Sequence, residues 1–117
     1  MINEDYVSFE TAKLLKEKGF NWNTDKQFNS DKIVGDYDIT DRARNPERYL
    51  DAPTLQMVMK WLREKNIIIN VWYNGIDWDA EYYNDEDENF YLITDPSCNS
   101  YEEACEAAIK YCLENLI

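Results

Sequence analysis

The dipeptide Asn74-Gly75 separates two runs rich in β-branched and aromatic residues, "IIINVWY" and "IDWDAEYY". Asn-Gly is favoured in two-residue hairpin loops because both central residues need positive φ. Runs of this composition suit a pleated, half-buried surface. The segment therefore predicts a β-hairpin turning at Asn74-Gly75. A third strand, "NFYLIT", follows the acidic turn "NDEDE". Consecutive strands with short connections give a three-stranded antiparallel meander.

Helical periodicity brackets this meander. In "APTLQMVMKWLREKN", Leu55, Val58, Met59 and Leu62 recur at the spacing of one helix face. Pro53 fits the first turn, where its missing N–H costs nothing. In "SYEEACEAAIKYCLENL", Ser100 and Glu103 form a capping box. There Tyr101, Ala104, Cys105, Ala108 and Cys112 make a narrow face able to lie close on a sheet. An earlier helix, "SFETAKLLKEKG", opens at Ser8 and closes at Gly19, with Phe9, Ala12 and Leu15 or Leu14 on its apolar side. Residues 21–50 carry weaker signals. A hairpin turning near Asn29-Ser30-Asp31 fits "QFNSDKIVGDYDI", and "TDRARNPERYLDA" reads as polar loop. The resulting expectation is one α+β domain over 1–117, in the order α…α-β-β-β-α. Its meander and helices form two layers, with the helices on one sheet face.

The net charge of −12 is unevenly spread. Residues 75–117 hold twelve acids and one base, Lys110, for a net −11. Such a field disfavours nucleic acid and anionic membranes and favours basic partners. No apolar run approaches the roughly 20 residues of a membrane span. The acidic start "MINEDYVSFE" lacks the apolar core of a signal peptide. A cytosolic protein is expected.

Residues 77–91 contain seven acidic side chains and no basic one. Asp77, Asp79, Glu81, Tyr83, Asp85 and Glu88 match the ligand spacing of a helix–loop–helix calcium site. That site needs a turning glycine where this chain has Tyr82. Trp78, Ala80 and Tyr82 alternate with Asp79 and Glu81, which is strand period. Carboxylates on such a strand stand about 7 Å apart and do not converge on one ion. The alternation instead predicts an acidic sheet face or edge, where charge also blocks unwanted strand pairing. Asp79, Glu81, Asp85, Asp87 and Glu88 are the candidate partner-binding residues.

Several chemistries lack their residues. Without histidine there is no Ser-His or Cys-His nucleophile and no imidazole ligand. The three glycines are isolated, so no phosphate-cradling loop exists. Cys98, Cys105 and Cys112 are spaced by seven. On a helix that is about 10 Å of rise, beyond the roughly 7 Å reach of a disulfide. They read as small packing residues. The order α-β-β-β-α matches the double-stranded-RNA-binding domain, which clamps phosphates with bases at the start of its last helix. Tyr101-Glu102-Glu103 stands there instead and repels phosphate. Neither enzyme activity nor a cofactor is expected.

Three stretches, "YVSFETAKLLKEKGF", "APTLQMVMKWLREK" and "SYEEACEAAIKYCLENLI", together resemble small proteins of gut Bacteroides-type bacteria and their phages or prophages. The resemblance covers the three helices and implies a bacterial or phage cytosolic setting. It carries no site residues. The sequence thus points to a non-enzymatic accessory protein whose acidic C-terminal third docks a basic protein surface, with a homodimer left open. The alternative is a small-molecule binder with Trp22, Trp61, Trp72 and Trp78 lining a pocket.

Overall fold

A computed structural model describes residues 5–29, 31–36, 42, 44 and 49–117. Among them the chain is α+β, with three helices and two three-stranded antiparallel sheets. It divides into two compact units, Met1–Thr54 and Leu55–Ile117.

The first unit opens with helix α1, Phe9–Glu17. Ser8 caps it, its Oγ accepting the backbone N–H of Thr11 at 3.2 Å. Gly19 takes φ +92° after the last turn, and the N–H of Phe20 returns to the Leu15 carbonyl at 2.9 Å. Thr11, Ala12 and Leu15 are buried, whereas Leu14 is half-exposed.

Strands β1 (Lys26–Phe28), β2 (Val34–Asp36) and β3 (Leu50–Asp51) form a sheet in the order β2-β1-β3. The hairpin between β1 and β2 turns where the sequence placed it. Asn29 Oδ1 accepts the N–H groups of Asp31 and Ile33, at 2.9 and 3.2 Å. Ser30 and residues 37–39 of that stretch lie outside the described residues, as do 40, 41, 43 and 45–48 of the expected loop. The loop reading of "TDRARNPERYLDA" is corrected at both ends. Arg42 and Arg44 are helical, and Leu50–Asp51 pairs with β1 through Phe28↔Leu50 and Gln27↔Asp51. A two-residue strand has too few positions to display a period. Its pairing comes from Phe28, far away in sequence.

The second unit contains α2 (Leu55–Arg63), strands β4 (Ile68–Tyr73), β5 (Trp78–Asn84) and β6 (Asn89–Leu92), then α3 (Tyr101–Asn115). Helix α2 starts two residues after Pro53 rather than including it. The Pro53 carbonyl is already taken by the N–H of Val7 at 3.1 Å, and Thr54 bridges to Tyr6. Apart from Tyr101, which is half-buried, the expected faces of both helices are buried. Leu55, Val58, Met59 and Leu62 of α2, and Ala104, Cys105, Ala108 and Cys112 of α3, are all in the core, joined by Trp61, Ile109 and Leu113. Small side chains let α3 lie against β5, where Ala80 is fully buried.

The α3 cap is a variant of the expected box. Ser100 Oγ accepts the N–H of Glu103 at 3.1 Å, and the Glu103 carboxylate takes the N–H of Asn99 at 3.0 Å rather than that of Ser100.

Strands β4, β5 and β6 are neighbours in that order, with Tyr73↔Trp78 and Tyr82↔Tyr91 among the pairs. The hairpin centre is displaced by one residue from Asn74-Gly75. The Asn74 N–H donates to the Asp77 carbonyl at 2.9 Å, so Gly75 and Ile76 are the central pair. Of the two, Gly75 alone has positive φ, +102°, matching the turn type with glycine first. Asn74 is drawn out of the centre by its side chain. Its Oδ1 accepts the N–H groups of Ile76 and Asp77, at 2.9 and 2.8 Å.

Candidate functional site

Alternation along β5 gives the sheet of the second unit two unlike faces. Trp78, Ala80 and Tyr82 point toward α3. Trp78 meets Tyr101 edge-on at 5.6 Å, and Tyr82 stacks on Tyr111 at 5.7 Å. The opposite face carries Ile68, Asn70 and Trp72 of β4, Asp79, Glu81 and Tyr83 of β5, and Phe90 and Leu92 of β6.

That outer face is not a sheet of charge. Ile68 is 41%, Phe90 55% and Leu92 59% exposed. The register sets Ile68, Tyr83 and Phe90 in one row across the strands and Asn70, Glu81 and Leu92 in the next. Tyr83 and Phe90 touch, with ring centroids 4.9 Å apart. Glu81 is the carboxylate set among these apolar groups. The two acids of β5 also do not guard an edge, because β5 is the middle strand. Edge strand β6, "NFYL", bears no charge.

Asp79 sits at the far end of the same strand and is bound internally. Its carboxylate accepts from Asn74 Nδ2 at 2.8 Å, Thr94 Oγ1 at 2.8 Å and Ser97 Oγ at 2.7 Å. These three donors, Asn74 first, hold its carboxyl below the usual carboxylate range. Beyond Ile93, whose N–H meets the Ala80 carbonyl, the chain leaves the ladder and rejoins it where Cys98 bridges to Trp78. Asp79 fastens that excursion and the β4–β5 turn to the sheet. This fastening has no local signal, because its donors lie five, fifteen and eighteen residues away.

Asp85, Asp87 and Glu88 stand in the exposed turn between β5 and β6, with Glu86. Asn84 Oδ1 holds the turn by accepting the N–H of Glu86 at 2.9 Å. Asp87 accepts the hydroxyl of Tyr91 and the N–H of Asn89. That hydroxyl bond raises the Tyr91 pKa, and burial adds to it. Glu88 adopts φ +56° to close the turn. Asp79 and Asp85 are six residue steps apart, about 20 Å at the usual strand rise. Glu81, two steps from Asp79 and four from Asp85, lies among the apolar rows, the turn acids stand at their end, and the Asp79 carboxylate is taken up by its three donors.

Among the described residues no cluster of three acids or cysteines has the geometry to hold a metal. Trp72 and Trp78 lie on opposite faces of the sheet, so they do not line one pocket. Trp61 is buried on α2, with the Lys65 ammonium 4.7 Å from its ring. In the first unit a cleft of about 240 Å³ runs beside α1, lined by Leu15, Phe20, Arg42, Asp51 and neighbours. Arg42 is held there by Asp51 at 2.9 Å and Gln27 at 3.2 Å. Trp22 lines a separate hollow of the same unit.

No helix among the described residues is long and apolar enough to cross a membrane. Comparison of the chain with protein-family models, curated proteins and solved structures finds no match.

Proposed function

We propose that this chain is a non-enzymatic accessory protein that binds a basic surface on another protein. The outer face of β4-β5-β6 is the docking surface. One observation carries the reading: exposed Ile68, Phe90 and Leu92 share one sheet face with Glu81, and the acidic turn Asp85–Glu88 stands at the end of that face. A face that only solubilises is polar throughout, whereas exposed apolar groups grouped together and bordered by polar ones mark an interaction surface. The charge is one-sided as well. From residue 66 to residue 109 there are eleven acids and no Lys or Arg. The carboxylates set the rate of encounter, and the apolar rows set its lifetime. The resemblance of the helices to phage and prophage proteins supports a setting in which an acidic surface competes for a nucleic-acid-binding host protein.

The test uses a lysine-rich helical peptide and its glutamate-rich counterpart, titrated into the isotope-labelled protein at low and high salt. Binding of the lysine peptide alone is expected, with shifts at Glu81 and residues 85–92 that fade well above about 0.15 M salt. Shifts confined to other elements, or equal binding of the two peptides, would remove the proposal.

A further inference from the structure

We infer that the basic partner is taken up as an extended segment that adds a fourth strand to β6, pairing antiparallel with Phe90 and Leu92. This deepens the reading above and rests on it.

The ladder parity exposes this edge. The Ile93 N–H donates to the Ala80 carbonyl at 2.8 Å, which makes Ile93 a residue bonded toward β5. Backbone groups alternate sides along an antiparallel strand. Tyr91 and Asn89 therefore also face β5, and the N–H and C=O of Phe90 and Leu92 point the other way. Among the described residues no strand pairs with that side of β6. All four residues of β6 are exposed.

Unpaired edges are ordinarily blunted by a charge, a proline or a bulge within the strand. Asn89-Phe90-Tyr91-Leu92 has neither charge nor proline, and its pairing with β5 is continuous from Asn84↔Asn89 to Glu81↔Leu92. Charge instead brackets the strand, with Asp85–Glu88 before it and exposed Asp95 after it.

That bracket selects the occupant. A second copy of the chain, paired through β6 about Tyr91, would place Asp87 opposite the other copy's Asp95, acid against acid at both ends. A segment with Lys or Arg at both ends meets attraction there instead. Residues opposite Phe90 and Leu92 share their face, so apolar side chains at those two positions complete the rows begun by Ile68 and Asn70. The residue between them lies opposite Tyr91, whose ring stacks on Tyr82 at 5.4 Å. A long basic side chain suits that position. The recognised chemistry is thus an alternating basic–apolar strand, with backbone bonds giving affinity and side-chain alternation giving selectivity.

Three probes test this on the intact chain. They are a short peptide alternating lysine and valine, the same peptide N-methylated at the valines, and a lysine-rich helical peptide of equal charge. The alternating peptide is expected to bind best and to slow amide exchange at Phe90 and Leu92. N-methylation removes the two bonding N–H groups and should weaken binding about tenfold or more. Leu92→Pro deletes only an outward N–H, which an edge strand tolerates, and should abolish the preference for the alternating peptide. The N-methylated probe decides the matter if that variant fails to fold. If all three peptides bind alike, strand addition is overturned while the basic-partner reading stands. If none binds at low salt, both are overturned. Self-association through β6, seen as concentration-dependent protection of Phe90 and Leu92 without peptide, would also overturn it.

Discussion

The hydroxyl of Thr94 donates to the carboxylate of Asp79 at 2.8 Å while accepting the backbone N–H of Ala80 at 2.9 Å. Thr94 is 4% exposed, so the pair lets an edge excursion leave the ladder without stranding a buried N–H. Asp79 is therefore a fastening of the fold, whatever partner the neighbouring face meets.

Asp79→Asn should lower Tm at pH 7 by several degrees, because an amide offers one acceptor oxygen where three donors converge. The sign with pH follows from the lowered carboxyl pKa. A depressed folded value gives stability that is present above the unfolded value, near pH 4, and is lost as pH falls through the folded value. The wild type should lose its advantage over the variant in acid. Parallel Tm profiles for the two proteins between pH 2 and pH 7 would show that these bonds contribute nothing.

Gly75 stands at φ +102°, and a Cβ there would touch nothing within 4 Å. Gly75→Ala should cost about 1 kcal/mol from backbone strain alone. Gly75→Asn should cost less, since asparagine tolerates positive φ better. Urea midpoints at constant slope check the order; equal costs would mean that the turn relaxes.

Ala108 is fully buried in α3, and its neighbour Ala107 is half-exposed. Ala108→Leu should destabilise by about 1–3 kcal/mol, because the close approach leaves no room for three more carbons. Ala107→Leu should stay within about 0.5 kcal/mol. Similar melting curves for the two variants would show that the interface of α3 with the sheet is loose.

Burial pushes the Cys112 thiol up to about 12. Cys98 is raised by its partial burial first, and then by Glu103, Asp79 and Asp77. In the native protein iodoacetamide near pH 8 should leave Cys105 and Cys112 unmodified and label Cys98 slowly. Mass spectrometry of the digested protein reads the sites. Rapid labelling of Cys112 without denaturant would mean that α3 opens readily.

The clearest sequence signals all act within about one helical turn. Ser8, Gly19, Ser100 and Glu103 fix helix ends through hydrogen bonds that span three to five residues. The 3.6-residue period of "LQMVMKWL" and the two-residue period of "WDAEYY" each choose a buried face from local geometry. Even Gly75 was legible as a turn residue, though the Asn74 side chain then moved the centre by one position.

What tertiary structure alone decided depends on partners distant in the chain. Leu50 became a strand because Phe28 offered it an edge. Asp79 is tied into the fold because Thr94 and Ser97, beyond the C-terminal end of β6, return to it. The outer face, read as acidic from Asp79 and Glu81, gained Ile68, Phe90 and Leu92 once register set three strands side by side. Alternation within one strand records which side chains share its faces. It does not record which neighbours pair with it or which of its backbone groups remain unpaired, since those depend on contacts across the sheet.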